Sequence, residues 1–175
     1  MGVQGLSRPE VSEYPAGFGK YVALVPEGDV LAFLEGQLGE ALGLLRGLTE
    51  AEGMRVDAPY AWSVKEVVGH ITDAERIFAY RLLRIGRGDG TPLASFDENA
   101  YVKQADFGRC AMGELVEEFE LARRSHLLLM RHMGAEAWGR EGNVCGHRAT
   151  ARAFPYVMAG HAKHHLDILR KRLGR

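Results

Sequence analysis

SVKEVVGHITDAERIFAYRLLRIG, residues 63–86, is the stretch on which the fold turns. Ser63 and Glu66 have the Ser-x-x-Glu spacing of a capping box, the reciprocal pair that satisfies free N–H groups at a helix start. Val64, Val67, Val68, Ile71, Phe78, Leu82 and Ile85 then recur along one face at helical period. The glycines of GRGDGTP and Pro92 end the run. A helix this long with an apolar face needs other helices to cover it. Two polar residues stand out: His70 on the flank of that face, and Glu75 projecting into it.

Three more segments supply the cover. From Asp29, read as the N-cap, to Leu48, residues Leu31, Leu34, Leu38, Leu42 and Leu45 fall near one face, and Gly53 follows a short TEAE turn. From Met112 to Met133, Leu115, Phe119, Ala122, His126, Leu129 and Met133 alternate in steps of four and three. From Thr150 to Leu173, Phe154, Val157, Met158, Ile168 and Leu169 define an apolar sector, with Pro155 near the first turn. Little reads as strand. The outer connections are short enough for antiparallel neighbours, whereas Gly86 to Arg109 is a long crossover or site-flanking segment. The expectation is all-α: one four-helix-bundle domain over residues 1–175, with a long connection between the second and third helices and residues 1–28 as an arm.

Bulk properties exclude several alternatives. The 175 residues carry 22 basic and 23 acidic side chains, a net charge of −1, which gives no electrostatic footprint for nucleic acid. The basic ending, Arg170, Lys171, Arg172 and Arg175, complements the negative end of a last helix. No run of about 18 apolar residues predicts a membrane span. The first residues, MGVQGLSRPEVSEY, show neither a leader pattern nor a myristoylation pattern, Leu6 standing where Ser or Thr is needed. Cys110 and Cys145 lack CxxC spacing and read as free thiols of a cytoplasmic protein.

GHAKHH, residues 160–165, gathers three of the seven histidines. Turning 100° per residue puts His161 and His165 near the middle of the apolar sector, one turn apart on one face, with His164 toward its edge. Two stacked inward imidazoles need partners for four nitrogens, a demand that one shared metal ion reduces. His70 on the second helix makes a three-histidine set from two helices, leaving a coordination position open. His126 is a reserve candidate for a fourth ligand, with pairing to a carbonyl or acid as its simpler role. His132 reads as wet, and nothing orients His147. Glu75 points away from His70; a buried ion pair with an arginine such as Arg152 is its simplest role, and general-base work the alternative.

These residues carry a family resemblance. The run WSVKEVVGHITDAERIFAYRLLRIGRGDGTPLASFDENAYV (62–102), the closing FPYVMAGHAKHHLDILRKRL (154–173) and EYPAGFGKYVALVPEGDVLAFLEGQL (13–38) resemble the DinB/YfiT-like family of four-helix bundles. The resemblance implies a divalent ion, nickel or zinc, on His70 of VVGHI and on His161 and His165 of GHAKHH, with His164 outside the set. It also implies a homodimer acting on a small-molecule substrate. Relatives are described as metal-dependent hydrolases or as thiol transferases and isomerases using low-molecular-weight thiols such as bacillithiol or mycothiol. Three functions therefore stand open: hydrolysis by water that a metal ion activates, S-transfer from a small thiol, or a non-catalytic metal-binding bundle. No GxSxG, P-loop or HExxH motif offers another chemistry.

Overall fold

Ser63 and Glu66 close their capping box: the Glu66 N–H donates to Ser63 Oγ at 3.2 Å, and the Ser63 N–H donates to Glu66 Oε2 at 2.7 Å. From this cap runs α4 (Val64–Gly86), and all seven apolar residues of its stripe are buried. The computed structural model describes residues 6–175, so the first five residues of the arm, and what their sequence predicts, lie outside the described residues.

In chain order the other elements are α1 (Gly19–Val22), α2 (Val30–Leu45), α3 (Glu50–Gly53), α5 (Glu98–Ala105), α6 (Met112–Arg131), α7 (Ala135–Trp138), β1 (Glu141–Val144), β2 (His147–Thr150) and α8 (Ala153–Leu173). Asp29 caps α2 by accepting from the Leu31 and Ala32 N–H groups. Pro155 sits in the first turn of α8, where no intrahelical N–H is lost, so that helix starts at Ala153 rather than Thr150.

The bundle is α2, α4, α6 and α8, each of α4 and α2 packing on both α6 and α8. The first and second helices are thus diagonal rather than antiparallel neighbours, as are the third and fourth, which corrects the expectation from linker length. Arg46 with Glu120 and Arg131 with Glu35 set α2 antiparallel to α6. Glu75 with Arg123 and Gly86 beside Met133 set α4 parallel to α6. Parallel neighbours require a chain crossover, and residues 87–111 provide it, with α5 inside.

The EGNVCGHRA segment is a β-hairpin, not a loop. Glu141 pairs with Thr150 and Val144 with His147 across a two-residue turn whose Cys145 and Gly146 have φ of 55° and 84°. Positive φ at both central residues is the turn that matches the strand twist. Leu93 of the crossover zips onto β1, its N–H donating to Asn143 O at 2.9 Å and its carbonyl accepting from the Cys145 N–H at 2.8 Å.

Two apolar clusters fill the bundle, one around Leu34, Phe78, Leu127 and Met158, the other around Leu38, Ile71, Phe119 and Leu166. Between them lies a buried polar layer. Arg123 donates to both Glu75 oxygens, to Leu34 O and to Gln37 Oε1, and Gln37 Nε2 donates to Ala159 O at 2.9 Å. So the partner of Glu75 is Arg123; Arg152 pairs instead with Glu13 of the arm. The inner stripe of α6 runs through Phe119, Arg123, Leu127 and Met130, and Ala122, His126 and Leu129 sit only half-buried beside it.

The arm lies on α8. Tyr156 donates to Leu6 O at 2.7 Å, Arg8 Nη1 donates to Val22 O at 2.9 Å, and Tyr14, Val22 and Val25 are buried. No helix among the described residues is long and apolar enough to cross a membrane.

Candidate metal centre

Because α4 and α8 run antiparallel, one turn of α4 faces one turn of α8 where His70 meets His161 and His165. One ring nitrogen from each lies within 4.8 Å of the other two. His70 Nε2 and His161 Nε2 are 3.0 Å apart. A tetrahedral zinc with Zn–N bonds of about 2.0–2.1 Å spaces its nitrogens by about 3.3 Å, so small rotamer adjustments suffice.

The protonation state also suits a cation. Burial pushes the His70 imidazolium down to about 4 and that of His165 to about 3, the latter helped by repulsion from His70 and His164. Burial, and repulsion from His165 and His70, hold His161 well below the usual value. All three are neutral lone-pair donors at pH 7, the form a metal needs. His161 Nδ1 is buried without a hydrogen-bond partner.

Aromatic rings wall the centre. Trp62 stands 4.8 Å from His70, and Tyr21 of α1 and Phe78 stand 5.1 and 5.5 Å from His161, centroid to centroid. Tyr21 reaches this position because residue 160 is glycine: a Cβ there would lie 1.9 Å from the Tyr21 carbonyl oxygen. The three histidines open into a cleft of about 470 Å³ that is also lined by Lys20, Arg81, Glu98, Cys145, His147 and His164.

His70, His161 and His165 are therefore brought together as the helical faces predict, and His164 is exposed at the cleft without joining them. His147 lies in the cleft lining, which the sequence left unoriented. His126 is remote from the set, its Nδ1 lying 3.5 Å from Glu75 Oε2, and His132 is exposed. Glu75 is fully buried against Arg123 and does not line the cleft, so it has no reach for general-base work. Cys110 and Cys145 are free thiols. Sequence reasoning missed Tyr21 and Lys20, which arrive from the arm, and Cys145, which the hairpin turn places there.

Residues 34–169 match the family model of the DinB superfamily. The chain belongs to the DinB superfamily. Its fold is similar to that of YfiT from Bacillus subtilis, a probable metal-dependent hydrolase with an unusual four-helix bundle topology, at TM-score 0.69 and 17% identity over 97% of this chain and 95% of that one. It is also similar to the mycothiol-dependent maleylpyruvate isomerase, at TM-score 0.68 and 14% identity over 83% of this chain and 62% of that one. No curated protein sequence matches it. In this DinB-superfamily chain the three histidines fall within the matched region, whereas Tyr21 and Lys20 come from the arm outside it.

Proposed function

We propose that this DinB-superfamily chain holds a divalent ion, nickel or zinc, on His70, His161 and His165 and acts as a metal-dependent hydrolase on a small molecule. The observation that carries the reading is three neutral ring nitrogens within 4.8 Å of one another at the base of an open cleft. An ion held by three protein ligands supplies a Lewis acid with room for a substrate or water. The chain's own contribution is a dry wall of Trp62, Tyr21 and Phe78, which strengthens polar interactions inside. His147 and His164 line the cleft outside the set.

A second reading, transfer chemistry with a low-molecular-weight thiol, is favoured by the basic lining from Lys20 and Arg81 and by the likeness to a mycothiol-dependent isomerase. Elemental analysis of tag-free protein tests the centre: one equivalent of nickel or zinc is expected, and a metal-free protein that takes up neither ion sinks it. A cobalt-substituted sample then separates the chemistries. Hydrolysis of ester or amide substrates without a thiol absorption band supports the first, and a thiolate band with thiol-dependent turnover supports the second.

The same proposal treats residues 1–175 as one domain with an arm, two copies of which form a homodimer; exposed Leu121 and Leu128 on α6 support an apolar contact. The two free thiols support a reducing, cytoplasmic setting. Light scattering checks the dimer, and a monomeric mass at micromolar concentration would remove it.

A further inference from the structure

Four cationic side chains are buried among the described residues: Lys65, Arg81, Arg123 and Arg172. Three have a carboxylate. Lys65 pairs with Glu50, Arg123 with Glu75 and Arg172 with Asp57. Arg81 has none. It is only 3% exposed, yet its hydrogen bonds among the described residues are one from Nη2 to Ala94 O at 2.7 Å and a long contact from Nη2 to Cys145 Sγ at 3.6 Å. A buried charge without a counter-charge is costly, and this fold pairs its other buried cations.

The position of Arg81 gives that cost a use. It lines the same cleft as the three histidines, three helical turns beyond His70 on α4. Its guanidinium contacts Cys145 Sγ, and Cys145 lines the same cleft as the three histidines. Phe78 lies between Arg81 and the histidines on the cleft wall. The backbone partner of Arg81, Ala94, belongs to the crossover that Leu93 pins to β1, so the guanidinium is fixed from two sides. Nε and Nη1 have no protein partner among the described residues, which leaves donors free toward the cleft.

We propose that Arg81 is an anion subsite that receives a carboxylate of the substrate, while the opposite end of the substrate reaches the three-histidine centre. A single planar guanidinium offers a fork for one carboxylate, whereas phosphate sites commonly add a ring of backbone N–H donors. The substrate is thus an elongated organic acid with an apolar middle segment against Phe78. This deepens the proposed function and rests on the same cleft, so the test has one arm that needs no metal.

In the metal-free arm, the Nε–Hε resonance of Arg81, assigned by its loss in Arg81→Met, is followed by NMR during titration with glutarate and with neutral glutaramide. A saturable shift with glutarate alone is expected; no shift, or equal shifts, overturns the subsite whatever the metal does. In the cobalt-loaded arm, a series of ω-mercaptocarboxylates of rising chain length is compared with neutral mercaptoalcohols through the cobalt–thiolate band. One chain length is expected to bind about tenfold tighter than its neutral counterpart, the worth of a charge-assisted hydrogen bond. Arg81→Met is expected to erase that preference, and Arg81→Lys to keep part of it, with cobalt stoichiometry unchanged in both. A preference surviving in Arg81→Met overturns the assignment. Loss of cobalt binding in wild type strikes the metal centre and leaves the glutarate result standing.

Discussion

The α-carbon of Gly160 and the carbonyl of Tyr21 are in such close approach that a single added methyl group would stand 1.9 Å from the oxygen and 2.4 Å from the carbonyl carbon. The obstructed atoms are backbone, which cannot rotate away as a flexible side chain does. Gly160→Ala therefore forces the arm off α8 rather than compressing locally. The expected result is a destabilisation of about 1–3 kcal/mol, as for overpacking elsewhere. Limited proteolysis before Asp29 should also become faster, because Tyr21 no longer seats beside His161. Unchanged melting and unchanged cleavage would mean that the glycine serves no docking role.

Metal binding separates the histidines that one sequence cluster presents together. An ion that binds only the folded state at 100 times its Kd stabilises by about 2.7 kcal/mol, a rise in melting temperature of about 5–10 °C for a chain of this size. Nickel or zinc is expected to give that rise in wild type and in His164→Ala. His161→Ala and His165→Ala should melt at the same temperature with and without metal. Differential scanning calorimetry in excess metal and in chelator decides it. A lost response in His164→Ala would break the division between inward pair and bystander.

That division was legible in the sequence because helical period is geometry. Positions 161 and 165 must share a face, and Phe154, Val157 and Met158 say which face is inside. The four helices were legible for the same reason. Arg123 was not: a charged residue on the inner stripe of α6 reads as a solvent residue, so the apolar pattern was drawn one position away, through Ala122 and His126. Its partner was visible as an anomaly in Glu75, but pairing across helices depends on which helices adjoin. Linker length suggested the wrong neighbours. The hairpin was hidden because four-residue strands carry too little periodicity, and its turn uses Cys145-Gly146 where Asn-Gly is the strong signal. Tyr21 and Lys20 belong to an arm whose course depends on one close contact at Gly160.

The Arg123–Glu75 pair gives a sharp test of the polar layer. Removing one partner leaves an uncompensated charge between two apolar clusters, so Arg123→Leu and Glu75→Leu are each expected to cost about 3–5 kcal/mol in urea unfolding. Replacing both, as Glu75→Leu with Arg123→Met, should recover most of that loss. Recovery should stop short of wild type because Gln37 Oε1 and the Leu34 carbonyl lose their donor. If the double variant is as unstable as the sum of the single ones, the two side chains do not act as a pair.

Acid sensitivity follows from the same carboxyl group. Burial raises the Glu75 pKa, but the Arg123 charge and the contacts from His126 and Arg123 outweigh it, and the net displacement is below the ordinary value of 4.5. A carboxyl whose folded pKa is depressed binds fewer protons than the unfolded chain as pH falls below 4.5. Its stabilising contribution is therefore complete above that value and is lost as pH drops through the folded pKa. Glu75→Gln removes the titration while keeping the shape. The stability gap between metal-free wild type and metal-free Glu75→Gln should narrow steadily as pH falls below 4.5. Using metal-free protein of both sequences cancels the protonation of His70, His161 and His165, which burdens each alike. A gap that widens as pH falls below 4.5 would mean that the folded carboxyl is raised, and that Arg123 does not hold it ionised.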